Sequence, residues 1–87
     1  MNRYLIAFYP VHPADHFVIW NLDNPDYDNK ERIKNAYDLY SDARERRKCK
    51  DGELVAYNNT FWLVVKCNGY REAFDIFWSK LRNGGKL

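Results

Sequence analysis

Glycine and apolar length are both scarce in this chain, and each shortage removes a class of function. The 87 residues hold four glycines, at positions 52, 69, 84 and 85, so no glycine-rich loop exists to cradle a phosphate. No apolar run approaches the roughly 20 residues that cross a bilayer, so no membrane partnership is expected. Cysteine is limited to Cys49 and Cys67, which stand 18 positions apart. Structural zinc sites draw on closely spaced cysteine pairs, so this spacing argues against one. With no signal peptide ahead of Arg3, the expectation is two free thiols in a reducing, cytoplasmic setting, with the Asn58-Asn59-Thr60 sequon unused.

Aromatic residues are abundant instead: three Trp, seven Tyr and five Phe. Each large ring can bury roughly 150–250 Å², which lets a chain this short build a core without disulfides or metal. One domain spanning residues 1–87 is expected.

The net charge of +2 conceals a gradient: −3 over residues 1–43 and +5 over residues 44–87. The densest basic stretch is Arg44-Glu45-Arg46-Arg47-Lys48-Cys49-Lys50, and Asp23, Asp26 and Asp28 form its acidic counterpart. Separated charge of this kind steers a charged partner.

Periodicity supplies the elements. Arg3–Tyr9 and His16–Asn21 read as strands separated by Pro10 and Pro13, which cannot sit inside a paired strand. Ile33, Ala36, Tyr37, Tyr40 and Ala43 recur at helical spacing, after Asp28 or Asn29 as an N-cap and ahead of an Asp51-Gly52 stop. Glu53–Tyr57 and Thr60–Cys67 read as strands joined by the tight Asn58-Asn59 turn. A last helix runs from about Tyr70 to Arg82, with Tyr70, Ala73, Phe74, Phe77 and Leu81 on one face and Trp78 on its border. The fold class is therefore α+β, in the order ββαββα. Its expected form is a two-layer sandwich: a four-stranded, mainly antiparallel sheet with both helices on one face.

That arrangement leaves an apolar sheet face uncovered. Phe61, Leu63 and Val65 alternate with Trp62 and Val64, so the strand is apolar on both sides. Trp62 and Val64, with Trp20 and Tyr9 from the neighbouring strands, are the expected binding face, because bare apolar surface calls for a partner. The basic residues Arg44, Arg46, Arg47, Lys48 and Lys50 are the second candidate, suited to phosphate or carboxylate. Exposed rings beside them would stack single-stranded bases, although Thr60–Cys67 lacks the aromatic–basic consensus of the common RNA-binding sheet.

Catalytic readings are weaker. His12 and His16 flank Asp15, but neither they nor Cys49 has an evident base or orienting partner. Asp23, Asp26 and Asp28 lack the glycine and distal glutamate of a calcium loop. The expected function is thus a non-enzymatic, cofactor-free binding or inhibitor-type protein that engages another protein, or a second copy of itself as a homodimer. Stand-alone inhibitors that phages and mobile elements use to block host factors often have this build. The alternative is a small nucleic-acid-binding domain using Arg44–Lys50 and exposed aromatics.

Overall fold

Two strands with unbroken apolar sequence occupy the centre of the sheet, where both of their faces need cover. A computed structural model describes residues 1–10, 15–24 and 29–84. The elements are β1 (Asn2–Tyr9), β2 (His16–Asn21), α1 (Lys30–Arg47), β3 (Val55–Tyr57), β4 (Thr60–Cys67) and α2 (Tyr70–Gly84). They form one sheet of order β2-β1-β4-β3, and every neighbouring pair is antiparallel. The expected ββαββα order, the four-stranded antiparallel sheet and the two helices are all present.

The distribution of the helices differs from expectation. Register places Val18, Ala7, Trp62 and Val55 in one row across the sheet, and Ile19, Ile6 and Leu63 in the adjacent row. Adjacent rows face opposite sides. Ala36, Tyr40 and Ala43 of α1 pack with Leu5, Val55 and Trp62 on the first side. Ala73 and Phe77 of α2 pack with Tyr4, Ile6, Phe8, Leu63, Val65 and Cys67 on the second. The helices therefore sandwich the sheet in three layers, and Trp62 is only 8% exposed.

Chain connectivity explains the difference. The α1 segment links β2, at one edge of the sheet, to β3, at the other, and so crosses one face. The α2 helix follows the central strand β4 directly and lies back over the opposite face. Two alanines in the α1 stripe let the helix approach closely enough for Tyr40 and Trp62 to pack beneath it.

Local chemistry sets the ends of the elements. Asn58 and Asn59 both take positive φ, 52° and 61°, and join β3 to β4 through the expected two-residue turn. The α1 helix stops at Arg47, earlier than the Asp51-Gly52 pair suggested, because Lys48 adopts the left-handed conformation and its N–H closes onto the Arg44 and Glu45 carbonyls. Asn29 stands at the other end but makes no side-chain cap, and Asp28 lies outside the described residues. Beyond β2, the Asn21 Oδ1 accepts hydrogen bonds from the N–H groups of Asp23 and Asn24, 3.0 Å each. That turn presents Asp23 to Arg3, whose backbone N–H and Nη2 donate to its two carboxylate oxygens at 2.7 and 2.9 Å.

Candidate protein-interaction surface

The expected binding face on β4 is part of the core. Trp62 is buried under α1, Val64 is half-buried in the same cluster, and Trp20 packs against it. Of that group only Tyr9, 41% exposed at the end of β1, is accessible. Trp62 and Val64 are therefore withdrawn as contact residues, since α1 already shields the surface that was expected to need a partner.

The basic segment is divided between structure and solvent. Arg44 pairs with Asp51 and lies over the Tyr40 ring, 5.8 Å from its centroid. Arg46 pairs with Asp42 one turn earlier (2.9 Å) and lies 5.8 Å from the Tyr57 centroid. Both guanidinium groups thus spend hydrogen-bonding capacity on the α1 surface. Arg47, Lys48 and Lys50 are exposed. Arg47 also lines an open cleft of about 420 Å³ with Pro10, Tyr57, Asn58, Asn59 and Phe61.

The residues considered for metal or nucleophilic chemistry do not gather. Among the described residues, no three His, Cys, Asp or Glu side chains converge on a common point. Cys67 is fully buried, with its Sγ 3.4 Å from the Gly69 carbonyl, while Cys49 is half-buried with its Sγ 3.8 Å from the Arg47 carbonyl; both are free thiols. His12, Asp26 and Asp28 lie outside the described residues.

A different apolar surface takes the place of the expected one. Tyr70, Phe74 and Trp78 are four residues apart on α2 and so share one flank of that helix. Tyr70 is 51% and Phe74 38% exposed. The flank leans on β2: the Phe17 ring lies 5.1 Å from Phe74 and stacks against Trp78 at 6.2 Å with planes 6° apart. Tyr70 meets Tyr4 edge-on at 5.0 Å. The Trp78 Nε1 is buried and has no hydrogen-bond partner among the described residues. On the other side of β2, Val18 is 39% exposed beside half-buried Trp20.

The signal for this flank was present in the helix pattern. Positions 70, 73, 74, 77, 78 and 81 are all apolar, which is wider than the stripe a single sheet face can bury. The innermost members, Ala73 and Phe77, went under, and the flank positions remained partly open.

Comparison with family models, with curated proteins and with solved structures gives no match to this chain. No helix is long and apolar enough to cross a membrane, among the described residues.

Proposed function

We propose that this chain is a non-enzymatic, cofactor-free binding protein that acts by presenting the α2–β2 aromatic flank to another protein. The carrying observation is the contiguous set Tyr70, Phe74, Trp78 and Phe17, in which two large rings on one helix flank stay substantially exposed beside two that are half-buried. Aromatic rings with a rigid backing dominate contact energetics, because few rotamers are lost when they are covered. An inhibitor that occupies a host factor's surface, of the kind mobile elements encode, is the form of this activity that suits a chain of 87 residues. The two free thiols support a reducing, cytoplasmic site of action.

The test uses Tyr70→Glu and Phe74→Glu, which charge exposed positions and leave the buried core intact. Affinity capture from the native host, with mass spectrometry, should recover a partner with the wild-type chain and lose it with both variants. Equal recovery by all three chains overturns the assignment of this surface.

A second reading has its own observation. Arg47 stands at an open cleft with Tyr57, Asn58 and Asn59, a grouping of a cation, two amides and a ring suited to a single-stranded nucleic acid, while exposed Lys48 and Lys50 line a separate hollow at the end of α1. Phosphate contacts weaken steeply with salt. Retention on single-stranded RNA or DNA at low salt, lost in Arg47→Glu, supports this reading, and absence of retention removes it.

A further inference from the structure

Among the described residues, the strand at one edge of the sheet carries none of the devices that keep such edges from pairing. Edge strands are ordinarily shortened, bulged, or given lysine, proline or inward charge. The β3 edge is protected by being three residues long. The β2 edge is six residues, His-Phe-Val-Ile-Trp-Asn, with regular pairing to β1 throughout and no proline, lysine, arginine or acidic residue.

Hydrogen-bond parity identifies which groups that edge offers. The Leu22 N–H donates to the Arg3 carbonyl (2.8 Å) in the same register that pairs Tyr4 with Asn21. In an antiparallel ladder the bonded pairs alternate, so Trp20, Val18 and His16 direct their N–H and C=O groups toward β1. Phe17, Ile19 and Asn21 direct theirs outward, where they have no backbone partner among the described residues.

We infer that β2 pairs antiparallel with the β2 strand of a second copy of this chain, joining two four-stranded sheets into one of eight about a two-fold axis. The inference rests on the reading of the α2–β2 flank as a protein-contact surface and names its occupant. Self-pairing is compatible with the parity when outward residues meet outward residues. Val18 then lies opposite its own mate and Phe17 opposite the mate's Ile19, an aromatic-to-β-branched pair of the favourable kind. The dyad also turns the two α2 helices antiparallel on the same side of the joined sheet. Phe74 and Trp78 of each copy then face the gap between the helices, while Val18 and Tyr9 are covered on the opposite side.

The available area sets the strength. The half-exposed strand with Tyr70, Phe74 and Trp78 offers on the order of 500–600 Å² per copy, against the roughly 800 Å² per partner of a standard stable interface. An area of that order lies at the low end for a specific interface, so the dimer is expected in concentration-dependent exchange with monomer.

The test is sedimentation velocity across a concentration series, on the full chain and on a synthetic full chain N-methylated at the Ile19 amide. That change removes an outward donor and blocks the edge without touching a bond to β1. The wild-type chain should shift from monomer to dimer as concentration rises through the micromolar range, and the methylated chain should stay monomeric with the near-ultraviolet circular dichroism spectrum of the dilute, monomeric wild type. Amide exchange at Phe17 and Ile19 should slow on dimerisation, whereas Val18 and Trp20 are already protected in the monomer. A wild-type chain that stays monomeric throughout, or a methylated chain that dimerises equally well, overturns the inference. A dimer lost in Phe74→Glu but kept after methylation overturns strand pairing alone and leaves the aromatic flank as the contact surface. Should Tyr70→Glu and Phe74→Glu retain both dimer and host partner, the flank itself is refuted.

Discussion

Replacing Trp62 by alanine tests whether α1 truly closes the sheet face that the sequence alone leaves open. Trp62 is 8% exposed and shares a cluster with Leu5, Val55, Ala36, Tyr40 and Ala43. Truncating a buried aromatic to alanine costs about 3–5 kcal/mol, the lost transfer energy plus the cavity left behind. At roughly 0.05–0.15 kcal/mol per residue, a domain of this length has about 4–13 kcal/mol in total, so the variant sits near the limit of folding. Urea denaturation followed by far-ultraviolet circular dichroism would show this as a midpoint lowered by about 2 M or more, taking a slope of roughly 1–1.5 kcal/mol/M for a small domain. The milder Trp62→Phe, at about 1–2 kcal/mol, keeps the chain folded and permits a quantitative comparison. Leu39→Ala, on the exposed side of α1, should shift stability by no more than about 0.5 kcal/mol. Equal, small effects of Trp62→Ala and Leu39→Ala would refute the three-layer arrangement, since an open face predicts that Trp62 behaves as a surface residue.

Other consequences follow from the turns and titrating groups. Hydrogen bonds from the Arg3 side chain and backbone hold the Asp23 carboxyl below its ordinary range, so its contribution is present above the unfolded carboxylate pKa and is lost as pH falls through the lower folded value. The difference in urea midpoint between wild type and Asp23→Asn should therefore be seen at neutral pH and vanish in acid. Burial raises the Tyr40 hydroxyl above its usual value, partly offset by the hydrogen bond and charge of Arg44. Folded Tyr40 thus favours its neutral form, and stability present below the unfolded tyrosine pKa is lost as pH rises through the folded one. Tyr40→Phe should flatten that alkaline loss in a thermal-melt series above neutral pH. Lys48 holds a left-handed conformation at the end of α1 with φ 54°, which costs a side-chain-bearing residue roughly 1–2 kcal/mol. Lys48→Gly should recover about 1 kcal/mol in the same urea assay, and unchanged or lower stability would count against that cap.

Element positions were legible because they are written in neighbouring residues. The strand bounds of His16–Asn21 and Thr60–Cys67 follow from short apolar runs between turn residues, and the Asn58-Asn59 turn follows from tolerance of positive φ. The two-sided apolar character of β4 was equally visible. Which helix covers which side was not, because that depends on how a connection crosses the sheet: α1 joins opposite edges, and no local residue records that path. The narrow apolar stripe of α1, two of its five residues alanine, also gives little sign that it can bury Trp62. Within the candidate site, the helix pattern puts Tyr70, Ala73, Phe74, Phe77 and Leu81 on one face with Trp78 on its border, but it does not record which of them the sheet covers: Ala73 and Phe77 are buried, while Tyr70 and Phe74 stay exposed. Ion pairing divided the basic segment for a related reason: the sequence shows charges along the chain, while Asp42 and Asp51 meet Arg46 and Arg44 only once the helix and its following turn are formed.

The middle of the sheet joins segments far apart in sequence, since Asn2 stands opposite Cys67 and Phe8 opposite Phe61. A nascent polypeptide leaving the ribosome must therefore present β1 and β2 as a hairpin, which is marginal in water by itself, until β4 has been synthesised. Translation at about 5–20 residues per second makes that a wait of several seconds, during which the β1 edge that will meet β4 has unpaired N–H and C=O groups available to chaperones or to other nascent chains. Truncation before Thr60 consequently removes the central ladder rather than a margin, because β1 then lacks its β4 partner. Assembly of the sheet is timed by the arrival of β4.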